Sequence, residues 1–203
     1  MALAYDLPRQ RPVLAESLLP RTLTRNGVTV ALGTGLTALA AQLVVPIPGS
    51  PVPVTGQTFA VFLTAAALGP GRGLASQFLY LALGAIGLPV FTRGQRGVEV
   101  IFGATGGYLI GFLAAAAIMG YGARRGADRS PARAFPVLLL ASAAIYLLGA
   151  TWLSSVTGMS ASETLSVGVV PFLLGDALKA VLAAAMLPAA WRVVGRIDKD
   201  GNE

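Results

Sequence analysis

The chain has 203 residues, of which 55% are apolar and only 12% are charged, and its mean hydropathy is +0.71. A soluble domain carries about 25% charged residues and cannot bury so much apolar surface, so the composition excludes an ordinary soluble globular domain and favours a protein of the bilayer. The lack of cysteine and histidine excludes disulfides, thiolate or imidazole metal sites and histidine-dependent catalysis. The net charge of +6 fits the cytoplasmic loops of a membrane protein better than a surface for nucleic acid.

Segments without charged residues define the predicted membrane spans. No Asp, Glu, Lys or Arg occurs from residue 26 to residue 71, whereas about 20 apolar residues suffice to cross the hydrocarbon core. Four prolines within 46–53 cannot continue a helix and predict a loop there, and the glycine-rich 69–73 predicts a turn. We predict helices at about 26–45, 55–69, 73–90, 101–122, 134–156 and 166–192.

The two ends of the chain are predicted to lie outside the membrane. The first 20 residues contain four charged residues and three prolines but no apolar run, so they predict a loosely ordered cytoplasmic tail and not a signal peptide. The predicted organisation is an N-terminal tail at 1–23, a transmembrane domain at 24–192 and a C-terminal tail at 193–203.

The distribution of basic residues predicts the orientation of the helices. Twelve of the 15 fall in the two tails and in the loops after the second and fourth helices, whereas Arg93 and Arg96 are the basic residues of the other loops. Cytoplasmic loops are enriched in Lys and Arg, so both termini are predicted to be cytoplasmic. The predicted fold class is an all-α integral membrane protein, a bundle of six transmembrane helices.

Small residues recur at a spacing of four in two of the predicted helices. They are Gly27, Ala31 and Gly35 in the first helix, and Gly103, Gly107 and Gly111 in the fourth. This spacing places them on one helix face, where small side chains allow another helix to approach closely. The sequence leaves open whether these faces pack inside the monomer or dock on a partner subunit.

Asp176 and Lys179 are the charges that lie well inside a predicted span, and their spacing of three puts them on one face of the sixth helix. Such a pair predicts a functional site because an unpaired charge in the membrane is costly. Three interpretations remain open: a small-molecule pocket, a salt bridge that only ties the bundle together, and a proton or ion relay in a small ion-coupled carrier. Tyrosine hydroxyls and a tryptophan could complete a pocket, and the candidates are Tyr80, Tyr108, Tyr146 and Trp152.

A membrane enzyme is disfavoured, because the sequence has no histidine or cysteine and only one acid inside a predicted span. It also has no phosphate-binding G-x-x-x-x-G-K-[ST] motif and no G-x-S-x-G nucleophile motif. No catalytic residue, cofactor or metal ligand is assigned.

Five segments carry a resemblance to a known family. They are PVPVTGQT at 51–58, LGP at 68–70, LYLALGAIGLPVF at 79–91, TGGYLIGF at 105–112 and GVVPFLLGDALK at 168–179. In order and spacing these segments resemble BioY, the biotin-binding S component of energy-coupling factor (ECF) vitamin transporters.

The resemblance implies a six-helix bundle in the cell membrane that binds biotin on its extracellular side, with Asp176 and Lys179 contacting the ligand. We expect Asp176 to accept from a ureido N–H of biotin, Lys179 to donate to the ureido oxygen, and the carboxylate tail to point towards Arg93 or Arg96. Gln57 and Tyr146 are further candidate contacts.

The resemblance also implies partners. It predicts that Ala31 and Gly35 dock on a transmembrane coupling subunit that works with ATPase subunits. The alternative is a solitary transporter that moves biotin alone or as a homo-oligomer. Membrane lipids are expected neighbours, and nucleic acid is not an expected partner.

Overall fold

The computed structural model describes residues 11–18 and 23–200, apart from the side chains of residue 23 and of residues 196–200. The described chain is mainly helical, with one small hairpin and with short loops that connect the helices. The α-helices are α1 Leu14–Leu18, α2 Leu23–Ala40, α3 Gln57–Leu68, α4 Pro70–Ala85, α5 Val98–Phe102, α6 Gly106–Arg124, α7 Pro131–Thr157, α8 Ala161–Gly168 and α9 Val170–Asp200. The hairpin pairs β1 Val44–Val45 with β2 Val54–Thr55 in antiparallel register.

Each of the six predicted helices overlaps one long helix, but several bounds differ. The first ends at Ala40 and not at residue 45, because the chain turns there to form β1. The predicted turn at 69–73 is shorter than expected. Gly69 ends α3 with a φ of 81°, and Pro70 occupies the first turn of α4, where its missing N–H costs nothing.

Two predicted helices are interrupted. The fourth was expected to begin at residue 101, but α5 ends at Phe102 and α6 starts only at Gly106. The sixth was expected to begin at residue 166, but α8 is a separate helix, and a non-helical Val169 separates it from α9. Ser160 and Glu163 form a capping box that starts α8 independently.

Glycines set the closest helix packing. A Cβ on Gly107 would lie 2.2 Å from Trp152 Cβ, and a Cβ on Gly111 would lie 2.8 Å from Ile145 Cα, so these glycines let α6 approach α7. Two glycines of the predicted small-residue face therefore pack within the chain, whereas the third, Gly103, follows α5 and lies outside α6. On the other side of the bundle Thr34 of α2 donates to the Ser76 carbonyl oxygen of α4 at 2.9 Å.

The outer surface is apolar. Four leucines are each at least two-thirds exposed, namely Leu32, Leu39, Leu147 and Leu174. Such exposure is unfavourable in water but not in contact with lipid. Among the described residues, three helices are long and apolar enough to cross a membrane, namely Gly106–Arg124, Pro131–Thr157 and the Val170–Gly195 part of α9. The shorter Gln57–Leu68 is also apolar. The chain is thus an all-α membrane protein.

The bundle has two distinct ends. At about 1.5 Å per residue, α6 is about 28 Å long, close to the thickness of the hydrocarbon core. Its last residue, Arg124, lies beside residues 11–16, and we call this end the basic pole. Its first turn lies beside the hairpin loop and residues 91–105, and we call this end the cavity pole.

The segment 11–18 is not the loosely ordered tail that the sequence predicted. Val13 is fully buried, and the Glu16 carboxylate forms salt bridges to Arg124 at 2.6 Å and to Arg72 at 3.0 Å. Burial opposes ionisation of Glu16, but these two guanidinium groups and the Val13 N–H outweigh it and lower the pKa of this carboxyl. The charges of the basic pole thus hold the segment against α4 and α6. Residues 1–10 of the predicted tail lie outside the described part of the chain.

Candidate functional site

A cavity at the cavity pole is lined by four of the residues that the sequence singled out, namely Gln57, Tyr108, Tyr146 and Lys179. Its space, including the part open to solvent, measures about 560 Å³. Side chains from the hairpin, the loop before α6 and four long helices line it: Val52, Pro53, Thr55, Gln57, Thr58, Phe91, Thr92, Val100, Thr105, Tyr108, Leu109, Phe112, Tyr146, Phe172 and Lys179. The wall is mainly apolar, with a few hydroxyl, amide and ammonium groups, as is usual for small-molecule sites.

Lys179 is the charged side chain of this lining. Its ammonium Nζ donates to Asp176 Oδ1 at 2.7 Å, to the Thr55 carbonyl oxygen at 2.7 Å and to Thr58 Oγ1 at 3.1 Å. An ammonium has three N–H donors, so each has a partner here. The spacing of three residues places the lysine and the aspartate one turn apart on α9, as expected.

Asp176 is 8% exposed and lies behind the cavity lining. Its Oδ1 accepts from Lys179 and from Thr58 Oγ1 at 3.2 Å, and its Oδ2 accepts from the Tyr146 hydroxyl at 2.5 Å. The carboxylate is thereby held by groups from α3, α7 and α9. A buried carboxylate with an ammonium partner and two hydroxyl donors satisfies the requirement for pairing in an apolar medium.

Gln57 also lines the cavity, and its amide forms three hydrogen bonds within the protein. Its Nε2 donates to the Tyr80 hydroxyl at 2.7 Å, and its Oε1 accepts from Thr55 Oγ1 at 2.8 Å and from Thr92 Oγ1 at 3.2 Å. Tyr80 is fully buried on α4 and meets Phe91 edge-to-face. Gln57 therefore joins the hairpin to the loop that contains Thr92 across the cavity mouth.

Arg93 is not brought into the cluster. Its neighbour Thr92 lines the cavity, whereas Arg93 is exposed and has a left-handed backbone with a φ of 57°. Gln42 holds this loop, since it donates to the Phe91 carbonyl oxygen and accepts from the Gly94 N–H. Arg93 and the exposed Arg96 thus lie on the outer side of the cavity pole.

Two aromatic candidates are committed to backbone contacts. Tyr108 lines the cavity, but its hydroxyl donates to the Gly168 carbonyl oxygen at 2.7 Å. Trp152 donates to the Gly103 carbonyl oxygen at 3.0 Å and does not line the cavity. The Trp152 bond holds the break before α6, and the Tyr108 bond holds the break before α9. Both bonds therefore stabilise the wall of the cavity.

Sequence reasoning missed Thr58. Its hydroxyl bridges Lys179 and Asp176, although it lies more than a hundred residues away along the chain. The available indication was its position as the last residue of the segment 51–58, which carries the family resemblance.

Ala31 and Gly35 lie far from this cluster on the outer face of α2. Ala31 is exposed, and a Cβ on Gly35 would meet nothing within 4 Å. The exposed Val28, Leu32 and Leu39 flank them. A Cβ on Gly27 or Gly35 thus meets no neighbour within 4 Å in the described chain, in contrast to Gly107 and Gly111 of α6.

Comparison with known proteins assigns the chain to a family. The model of the BioY family matches residues 11–196. The "Probable biotin transporter BioY" of Pyrococcus horikoshii is 41% identical over 76% of this chain and 88% of its own length. The "Biotin transporter BioY2" of Lactococcus lactis subsp. cremoris is 34% identical over 84% of this chain and 92% of its own.

A solved structure shares the fold. It is a crystal structure of the S component for biotin from an ECF-type ABC transporter, 28% identical, with a TM-score of 0.75 over 85% of this chain and 95% of that one. These relatives are named as biotin transporters or as an S component for biotin. The names therefore do not support the two alternatives, a membrane enzyme or an ion-coupled carrier of another molecule. The family model spans nearly the whole described chain and the relatives are matched over most of their length, so the chain belongs to the BioY family.

Proposed function

We propose that this chain binds biotin at the cavity pole and acts as the substrate-binding S component in biotin uptake. The observation that carries the proposal is the cluster of Lys179, Asp176, Tyr146 and Thr58 at an apolar cavity in a member of the BioY family. Biotin has a polar ureido head on an apolar bicycle, and the cavity offers the matching combination of one charged, hydroxyl-rich end and an apolar wall.

The ureido group is proposed to exchange with internal hydrogen bonds of the cluster. Lys179 donates to the ureido oxygen after it releases Thr55 or Thr58, and Asp176 accepts from a ureido N–H. Every donor of Lys179 is already used, so the empty site leaves no buried donor of this ammonium without a partner. A ligand is therefore bound selectively only if its own groups replace the hydrogen bonds that it displaces. The carboxylate tail then points outwards to Arg93 or Arg96, which are exposed near the mouth.

A membrane topology of six spans with both termini in the cytoplasm is part of this proposal. Support comes from the basic pole, where Arg72, Arg124, Arg129 and Arg11 gather at the end opposite the cavity. In this topology the basic pole faces the cytoplasm and the cavity faces outwards in the cytoplasmic membrane. The tails at 1–23 and 193–203 lie on the cytoplasmic side of the transmembrane domain at 24–192.

The outer face of α2 is proposed to dock on a transmembrane coupling subunit associated with ATPases. The apolar residues around Ala31 and Gly35 support this, because these two small residues let another helix approach closely.

Copurification of the tagged chain with its partners from native membranes tests this docking proposal. Ala31→Leu should remove the coupling subunit and Ala185→Leu, at an exposed position on α9, should not. Recovery of the chain alone or as a homo-oligomer favours the solitary transporter.

The proposed substrate is tested by equilibrium binding of radiolabelled biotin to the purified full chain. Unlabelled biotin should compete, and the ring-opened diamine of biotin, which lacks the ureido carbonyl, should compete at least about 100-fold less well. Equal competition by the diamine, or no saturable binding, contradicts the proposal.

A further inference from the structure

A second groove lies on the lipid-facing side, between α6 and α7 near the basic pole. Its space, including the open side, measures about 940 Å³. The lining residues are Ala117, Ile118, Tyr121, Gly122, Arg125, Ala127, Val137 and Leu140. The lining is apolar along its length except at the end nearest the basic pole. Gly122 forms its floor, since a Cβ there would lie 2.7 Å from Val137 Cγ1.

Two arginines stand at the polar end of this α6–α7 groove. Arg125 belongs to the lining and follows Tyr121 by four residues, just beyond the end of α6. Arg133 lies in the first turn of α7, four residues before Val137 and seven before Leu140, so it shares their helix face. Both arginines are exposed, and neither has a carboxylate within salt-bridge distance in the described part of the chain.

The groove thus has an apolar length and a cationic end, which match the acyl chain and the phosphate of an anionic membrane lipid. The apolar residues lie at the depth of the bilayer hydrocarbon, whereas Arg125 and Arg133 lie where α6 and α7 leave it. Two guanidinium groups can bind one phosphate with several charge-assisted hydrogen bonds. The half-exposed Tyr121 lies one turn before Arg125, near the end of α6 where tyrosine is favoured.

We propose that the α6–α7 groove binds an anionic diacyl phospholipid, with an acyl chain along the groove and the headgroup phosphate on Arg125 and Arg133. A second copy of the chain fits less well because its net charge of +6 repels the cationic end. A groove near the other end of α7 gives an internal contrast. Ala143, Leu147, Ala150, Thr151 and Leu165 are among its lining residues, which include no basic side chain, so it offers no headgroup contact.

The test measures lipid binding to the purified full chain by native mass spectrometry. Dioleoylphosphatidylglycerol is the anionic probe and dioleoylphosphatidylcholine is the zwitterionic probe. The double variant Arg125→Gln, Arg133→Gln should bind the anionic lipid at least about fivefold more weakly. The control Arg96→Gln, Arg192→Gln removes the same charge from exposed positions outside the groove and should stay within about twofold of wild type.

A second pair of variants tests the apolar part of the site. Ala117→Trp fills the groove and should weaken binding of the anionic lipid with both arginines in place, whereas Ala150→Trp fills the uncharged groove and should not. Glycerol 1-phosphate in excess should not displace the lipid, because the headgroup alone lacks the acyl contacts.

Four results overturn the proposal, and three of them come from the controls and competitors. They are an equal loss of lipid in the control double variant, which indicates only general charge attraction; displacement by glycerol 1-phosphate, which indicates a phosphate site; and a dimer of the chain that Ala117→Trp dissociates. Lipid retention that is unchanged in the Arg125, Arg133 variant with an unaltered circular dichroism spectrum overturns it as well.

Discussion

The Tyr146 hydroxyl donates to Asp176 Oδ2 at 2.5 Å and so joins α7 to α9 at the cavity. This bond leaves Asp176 Oδ1 to Lys179 and Thr58. Tyr146 therefore fixes the orientation of the carboxylate while its ring lines the cavity. The arrangement makes the tyrosine a positioning residue for the charge pair.

Tyr146→Phe removes this hydroxyl and leaves the ring in the wall. We expect biotin to bind about tenfold more weakly, because a hydrogen bond to a charged group contributes about 1.5–3 kcal/mol. Isothermal titration calorimetry on the purified chain measures the change. The matched control is Tyr121→Phe at the basic pole, which should bind biotin as wild type does. Wild-type affinity in Tyr146→Phe would show that the bond has no role in binding.

Two glycines at the same helical spacing should respond differently to the same substitution. Gly111→Ala places a Cβ 2.8 Å from Ile145 Cα and should destabilise the chain by about 1–3 kcal/mol. Gly35→Ala meets nothing within 4 Å and should leave stability unchanged or slightly raised. Thermal unfolding in one detergent compares them, at about 2–4 °C per kcal/mol. A similar drop in both variants would contradict the assigned packing.

Glu16 should make stability depend on pH at the basic pole. Arg124 and Arg72 lower the pKa of this carboxyl in the folded chain relative to the unfolded chain. Its contribution is therefore present above the unfolded pKa and is lost as the pH falls through the folded pKa, below about pH 5.

The unfolding temperatures of wild type and Glu16→Gln measure this contribution. The variant should be less stable at pH 7, and the difference should shrink towards pH 3. Because the variant and wild type are compared at the same pH, the effects of other titrating groups on stability cancel. One such group is Asp128, whose pKa is raised by burial. Glu99→Gln, at an exposed acid, serves as control and should match wild type throughout. A pH-independent difference for Glu16→Gln would contradict the ion pairing.

Arg93 and Arg96 should act on the tail of biotin and not on its head. Removing both with Gln substitutions should slow association of biotin, which is anionic, more than association of the uncharged biotin amide. Stopped-flow fluorescence at two salt concentrations measures the rates, and the difference should narrow as salt screens the charges. Arg125→Gln is a control for net charge at the opposite pole. Equal slowing of both ligands would contradict the orientation with the tail at the mouth.

The pairing of Asp176 with Lys179 could be predicted, because a spacing of three residues brings two side chains together on any helix. Tyr146 was also a candidate, but its bond to Asp176 and the participation of Thr58 could not be predicted, since they depend on how α3 and α7 pack against α9. The same limit applies to Glu16. Its charge and position were visible in the sequence, but its partners lie 56 and 108 residues away.

Helix bounds were predictable where proline and glycine mark them and less so elsewhere. Gly168 and Pro171 flank the break at Val169, and Pro171 indicates a helix start there. The capping box at Ser160 and Glu163 indicates the separate start of α8. The small residues of α2 and α6 share one spacing, yet one set packs inside the chain and the other faces outwards. Periodicity identifies a helix face but not its neighbour.

The most direct test of the account is the dissociation constant of biotin for the purified full chain when the charge pair is altered. Asp176→Asn and Lys179→Met should each weaken biotin binding at least about 100-fold, because each leaves its buried partner unpaired and removes one ureido contact. Arg192→Gln, an exposed basic residue on α9, should retain wild-type affinity. Wild-type affinity in either pair variant, with the circular dichroism spectrum of the folded chain, would contradict the proposed site.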